Sequence, residues 1–307
     1  MKPRPSSATL RLHQNAFSLS ELLVVIAFLA ILAGMLLPAL SKAKAEGQDA
    51  RCLGNIKALG LCFVMYADDN KDSVVGAGNW VSGSMSGLEV TPSMSDPAAL
   101  RSARLWKYNE SAGIYQDPTE QPWPFWTPTK VKRIRSYSLN SSWAGASIQS
   151  QVPQYIYAPF AKLSQVKFPG PSMNLTFIDE QESSIDDGQF AIEVPDARFA
   201  RWRNEPSSRH GGGAALGFAD GHSELWKWTQ PYLLDGSQFR PNVPGNITIG
   251  SLGAVMGDPP GSGSGFPVYY PPLQYKDPDL IKVSKVILDK KGWDAAEGRA
   301  PQSIYAF

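Results

Sequence analysis

Residues 16–40 read AFSLSELLVVIAFLAILAGMLLPAL, and this stretch decides the fold. Between Phe17 and Leu37 the only charged residue is Glu21. A run of about 21 residues is enough for one helical span of a hydrocarbon core roughly 30 Å thick. The residues before it, MKPRPSSATLRLHQNA, carry Lys2, Arg4 and Arg11 and no acid. Basic residues on that side keep an N-terminus in the cytoplasm and send the C-terminal side across the bilayer. The expectation is one helix in the lipid of the inner (cytoplasmic) membrane, with the C-terminal part periplasmic or otherwise extracytoplasmic.

A cleavable secretory signal fits less well. Its apolar region is about 7–15 residues long and ends at a small-residue cleavage site. Here the run is longer, and the small residue, Ala16, lies before it. Glu21 is a second anomaly, because a carboxylate inside an apolar span is costly and calls for a partner. A cut after Ala16 would place a new Phe17 amine one helical turn from Glu21. That amine could neutralise the acid of its own subunit or of the next one.

These residues resemble the class III signal of type IV pilins and type II secretion pseudopilins. The resemblance implies that a prepilin peptidase cuts between Ala16 and Phe17 and that Phe17 becomes N-methylated. It also implies that Glu21 serves assembly and that Pro38 bends the helix. The implied partners are that peptidase, other pilin or pseudopilin subunits in a homo- or hetero-polymer, and an inner-membrane assembly platform. Two residues depart from the pattern: Ala16 stands where the family usually has Gly, and Ser20 where it usually has a large apolar residue.

The chain has 307 residues and a formal net charge of +1. Without residues 1–16 the balance becomes −2. Neither value gives the basic footprint of a nucleic-acid binder, so no nucleic-acid partner is expected. The 27 Gly and 25 Pro point to an exported part rich in loops. Aromatics at 11% suit a β-rich core.

Beyond Pro38 the helical pattern continues. Residues 41–51 are polar nearly all round; then Leu53, Ile56, Gly60, Phe63 and Ala67 recur at helical spacing, with Leu59, Cys62 and Tyr66 beside them. This half should pack on a sheet, and the run DDNKD at 68–72 should end it. The only cysteines, Cys52 and Cys62, fall in this one helix. Ten residues of helix rise separate them by about 15 Å, beyond disulfide reach, so both are expected as free thiols.

The expected fold class is α+β. The resemblance makes it pilin-like, with the long N-terminal helix packed on an antiparallel β-sheet domain with long loops. The expected divisions are a leader (1–16), a transmembrane half-helix (17–40), an amphipathic stem (41–72), a globular β-rich domain (73–228) and a loop-rich extension (229–307). A short helix is expected from Asp96 to about Tyr108. Strands are expected at 134–139, 155–160, 174–180, 189–194 and 198–203. The strongest local signal is ALGFA–Asp220–Gly221–HSELWKW, because Asp-Gly between β-compatible runs predicts a type I′ hairpin.

His210 precedes Asp220 by ten residues. This His-x9-Asp-Gly spacing (His210, Asp220, Gly221) resembles a C-terminal signature of a large group of pilin-like proteins with prepilin-type N-termini. CLGNIKALGLCFVMYADDNKD after the stalk, RSYSLN at Arg135 and SQVKFPGPSMNLTFIDE at Ser164 resemble the same group. That group commonly has Cys-Pro where this chain has Asp117-Pro118, which leaves Cys52 and Cys62 without that candidate partner.

Three metal readings arise. His210, Asp220 and His222 could ligate Zn²⁺ or supply a general base, but their positions suit turn and strand roles. Asp68, Asn70 and Asp72 alternate like an EF-hand start, yet Ser73 and Asn79 occupy the Gly and Glu positions. The acidic loop with Asp179, Glu180, Glu182, Asp186 and Asp187 offers oxygens for Ca²⁺, and likeness to major pseudopilins favours Ca²⁺ in a late loop. No GxSxG, HExxH or Walker sequence occurs. The reading is therefore a structural subunit of a type II secretion or type IV pilus-like system, not an enzyme. The rivals are a membrane-anchored envelope protein that binds glycan or protein through Trp-rich loops without polymerising, and an exported metal-dependent enzyme.

Overall fold

The computed structural model describes residues 18–83, 85, 92–122, 131–143, 160–167, 170–182, 184–196, 199–202, 204–229, 279 and 282–283. The leader with Ala16 and Phe17, the aromatic segment 123–130, the expected strand at 155–159 and most of 229–307 lie outside these residues.

The chain is α+β. One helix, α1 (Leu19–Asp69), runs without interruption through Pro38. Two compact units divide at Gly47. In the first, α1 is long and apolar enough to cross a membrane, and Leu22, Phe28, Ile31 and Leu36 are exposed. The helix begins in a reciprocal capping box. Ser18 N–H and Oγ–H donate to Glu21 Oε2 at 2.9 and 2.7 Å, and Glu21 N–H donates to Ser18 Oγ at 3.3 Å. This satisfies donors that a helix start otherwise leaves unpaired. Within the described residues Glu21 thus meets Ser18; the Phe17 amine expected as its partner lies outside them.

In the second unit α1 turns one face inward. Cys52, Ile56, Leu59, Gly60, Cys62, Phe63 and Ala67 are buried, as the helical spacing predicts. Both cysteines are free. The helix stops where Lys71 and Asp72 adopt positive φ (57° and 70°). Asp72 N–H then donates to Ala67 O at 2.8 Å and Asn70 Nδ2 to Tyr66 O at 2.7 Å, which serves the terminal carbonyls. The DDNKD run is thus a helix stop.

A four-residue helix, α2 (Pro92–Ser95), comes next. The single helix expected over 96–108 is two 3₁₀ segments instead, Pro97–Ser102 and Trp106–Tyr108. Asp96 does cap the first, accepting from Ala98 N–H at 2.8 Å. The strands are β1 (Tyr137–Asn140), β2 (Leu175–Asp179), β3 (Gln189–Phe190), β4 (Ile192–Asp196), β5 (Phe199–Trp202), β6 (Gly213–Phe218) and β7 (Ser223–Lys227). They form a five-stranded sheet in the order β3-β1-β2-β6-β7 and a separate β4-β5 pair.

The five-stranded sheet is mixed, which corrects the antiparallel expectation. β3 runs parallel to β1, while β1–β2, β2–β6 and β6–β7 are antiparallel. The cause is the acidic loop after β2. It reverses the chain and delivers β3 to the far edge of β1. Gly188 makes that entry with φ 91°, and a Cβ there would lie 2.8 Å from Val81 Cγ2.

Tyr137, Leu139, Phe177, Asp179, Ala215 and Gly217 share the sheet face toward α1, by alternation and register. Phe63 of the helix meets Phe177 and Trp143 edge-on, with ring centroids 6.3 and 4.9 Å apart. Small residues on β6 let the helix approach closely. A Cβ on Gly217 would lie 2.7 Å from Ile56 Cγ2, and one on Gly60 would lie 3.6 Å from Gly221 Cα.

The β6–β7 turn differs from the type I′ expectation. Gly221 has φ 88°, and Asp220 is not in the positive-φ region. Gly221 N–H donates to Phe218 O at 2.9 Å and Phe218 N–H to His222 O at 3.0 Å. This is a three-residue loop that ends in a left-handed glycine, a common hairpin alternative. Of the C-terminal extension, Asp279 accepts from Thr229 N–H at 2.6 Å, and Lys282 Nζ lies 4.2 Å from the centre of the Trp226 ring.

Candidate functional site

The positions that the sequence singled out separate into two places. His210 opens the turn before β6, where Gly211 and Gly212 have φ of 63° and 84°. Asp220 and His222 lie at the far end of β6, about 20 Å of strand away. There Asp220 Oδ1 is 2.5 Å from His222 Nδ1, and the His222 ring stacks on Phe218. His210 and Asp220 therefore do not converge on a common centre. The motif works as a frame: Gly221 shapes the turn and His210 enters the interior.

What His210 meets there is a buried polar cluster. Its Nδ1 is 2.8 Å from Asp49 Oδ1 of α1. Its Nε2 is 2.9 Å from Asp117 Oδ2 and 3.4 Å from Asp179 Oδ2. Cys52 Sγ joins them. The ligand-type atoms of Cys52, Asp117, Asp179 and His210 all lie within 4.8 Å of one another, and all four residues are buried.

Each of the four groups is also held from outside. Thr119 donates from both N–H, at 2.6 Å, and Oγ1 to Asp117 Oδ1. Arg209 donates through Nη2 to Asp179 Oδ1 and through Nε to Oδ2 at 3.3 Å. Tyr137 OH donates to Cys52 Sγ at 3.3 Å. Asp49 holds the outer nitrogen of His210. Arg209 is fixed in turn by Glu182 Oε1 at 2.5 Å and by Glu180 O at 2.9 Å. Asp117 is seated by its own N–H, which donates to Ser136 Oγ at 2.8 Å. Ser136 Oγ–H donates onward to Glu120, which pairs with buried Arg133 at 2.9 Å.

The electrostatics result from this packing. Burial favours neutral His210, but hydrogen bonds to Asp117 and Asp179 outweigh it and raise its pKa well above the ordinary histidine value. Burial pushes Asp117 up, yet the His210 bond and the Arg209 charge hold it well below the carboxylate range. Burial dominates at Asp179 and raises it. Burial also pushes the Cys52 thiol up to about 12. Burial thus favours the protonated Cys52 thiol, and the carboxylate contacts favour the protonated His210 ring.

The acidic set read as a calcium loop stays grouped in part: burial, then the nearby Asp186 charge, raises the pKa of Glu180, and burial, then the nearby Asp187 charge, raises that of Asp186. Asp179 belongs to the His210 cluster. Glu180 Oε1 accepts from Ser184 Oγ at 2.8 Å and from Asn204 Nδ2 at 2.9 Å. The Asp186 carbonyl takes Arg135 Nη2 at 3.0 Å. Asp187 accepts from Gln189 N–H at 2.9 Å. Glu180 Oε2 is buried without a hydrogen bond among the described residues.

Sequence reasoning named His210 and Asp179 but did not join them. It missed Asp49, Asp117 and Arg209 as members. Asp49 carried one usable signal. It lies three residues before Cys52 and seven before Ile56, so the buried stripe of α1, extended one turn back, ends on a carboxylate. Asp117 is the position where the resembling group commonly has cysteine, and it stands against Cys52. Compared with known proteins, the chain matches no family model, no curated protein and no solved structure.

Proposed function

We propose that this chain is a pilin-like structural subunit, made as a prepilin, cut between Ala16 and Phe17 and methylated on Phe17. It is inserted through α1 and assembled with like subunits into a type II secretion pseudopilus or a type IV pilus-like filament. The observation that carries this reading is the double character of α1. Its first half is apolar and exposed, with its single acid at the capped start, and its second half is one-sided and buried against the sheet. Glu21 caps the helix start through Ser18, a role that an anchor could share. A polymer can use it to set axial register against a neighbouring Phe17 amine.

Among the described residues Trp80, Trp143, Trp226 and Trp228 are buried and Trp106 is half-buried. The aromatic segment 123–130, on which the glycan- or protein-binding alternative would rest, lies outside them. N-terminal mass spectrometry of the native protein tests the proposal. The expected N-terminus is N-methyl-Phe17. An intact Met1, or an N-terminus beyond Leu37, overturns it.

A further inference from the structure

We propose that Cys52, Asp117, Asp179 and His210 form a buried binding site for one Zn²⁺-class divalent cation. The inference is independent of processing and assembly. It rests on convergence combined with outward support. One nitrogen, one sulfur and an oxygen from each of two carboxylates meet in a single buried space. Each donor group is oriented by a partner outside that space: Asp49 for the imidazole, Thr119 for Asp117, Arg209 for Asp179 and Tyr137 for the sulfur. A metal-bound histidine regularly donates its far N–H to a carboxylate, a backbone carbonyl or water. Here the Asp49 contact aims Nε2, which becomes a ligand once its proton leaves, at the space shared with Asp117 and Asp179.

The dimensions and chemistry agree. Bonds of about 2.0–2.3 Å set tetrahedral zinc ligands roughly 3.3–3.8 Å apart. The cluster, at most 4.8 Å across, needs to close by about 1 Å at its widest. Thiolate and imidazole select Zn²⁺ or its neighbours, whereas Ca²⁺ and Mg²⁺ require oxygen shells. The cation enters in exchange for two protons, one from His210 Nε2 and one from Cys52 Sγ, both released to solvent. With four protein donors the site is of the closed, structural kind. It would tie α1, the 116–120 segment, β2 and the turn before β6 together at one point.

The full-length protein in detergent, stripped with a chelator, is titrated with Zn²⁺ and separately with Co²⁺ as a visible probe. Folding is followed by fluorescence of the buried tryptophans. One equivalent of each metal is expected. Co²⁺ should give tetrahedral visible bands together with a thiolate-to-cobalt charge-transfer band that Cys52→Ser abolishes. Asp49→Ala removes no ligand and should weaken Zn²⁺ binding about 10–100-fold. His222→Ala, which changes the exposed Asp220–His222–Glu224 group, should bind as wild type does. Absence of the charge-transfer band in folded wild-type protein overturns the proposal. So does Zn²⁺ binding lost in His222→Ala, or binding unchanged in Asp49→Ala. If Cys52→Ser does not fold, Asp49→Ala decides alone. Asp49 is only partly buried, at 28% side-chain exposure, and tolerates truncation better.

Discussion

His210 Nδ1 and Asp49 Oδ1 lie 2.8 Å apart, joining the residue that opens the β6–β7 hairpin to the start of the buried half of α1. On its other side the same ring meets Asp117 and Asp179. Breaking a buried ion pair from one side leaves the other charge uncompensated and costs about 3–5 kcal/mol. His210→Ala is therefore expected to lower stability by that order, measured as a shift in the urea midpoint in metal-free buffer. A loss under about 1 kcal/mol would mean that the cluster rearranges freely.

Gly221 has a milder burden. A side chain there has room, since a Cβ would lie 3.5 Å from Leu61 Cδ2. The cost is the positive φ alone. Gly221→Val should lose about 1–3 kcal/mol, less than His210→Ala. Asp220→Asn should be near neutral. Denaturant midpoints of the three variants rank them.

At Gly217 the helix meets the sheet. Its Cβ would sit 2.7 Å from Ile56 Cγ2. Gly217→Ala should cost about 1–3 kcal/mol through overpacking, and Ile56→Val should recover part of the loss. A double-mutant cycle measures the coupling. Strict additivity would show that the close approach carries no energy.

Stability should fall as pH rises from about 5 to 8. Burial raises Glu205 to about 8. Burial, followed by the nearby Asp186 charge, raises Glu180 to about 8. Unfolded glutamates titrate near 4.3, so between these values the folded chain holds more protons than the unfolded one. Stability from these groups is complete below about 4.3 and is lost through 8, at about 1.4 kcal/mol per pH unit per proton. Raised His210 has the same sign, with loss beginning above about 6.5. Glu205→Gln should flatten the slope of urea midpoint against pH, and an unchanged slope would refute the assignment.

Ser18 separates two roles for Glu21. Ser18→Ala removes the cap, worth about 1 kcal/mol, but keeps the carboxylate. Glu21→Val removes both. If Glu21 sets register, filaments sheared from cells should incorporate Ser18→Ala nearly as well as wild type and exclude Glu21→Val. Equal exclusion of both would assign the effect to helix capping.

Much of the fold was legible because period and punctuation are local. The stripe Ile56–Gly60–Phe63–Ala67 follows from helical spacing, and the β6–β7 hairpin from Asp-Gly between β-rich runs. The parallel pairing of β3 was not legible. It depends on where an irregular loop lands, and no residue pattern states that. The His210 cluster was hidden for a similar reason. Asp49 and Cys52 share one turn of α1, but Asp117, Asp179 and His210 come from three distant stretches, and only three-dimensional packing brings them together. Asp117 stood out only as the residue before Pro118, and its charge disclosed nothing of its burial.

The hairpin touches α1 in a fixed order. His210 meets Asp49, Gly217 meets Ile56 and Gly221 meets Gly60. Each pair is offset by the same number of residues, so strand and helix advance in one sense over about 16.5 Å of helix rise. A pull along the helix axis would load these contacts side by side, in shear. A pull across it would open them one after another, like a zip. The seam is thus built to resist force in one direction. That direction is the axis of α1 between Asp49 and Gly60.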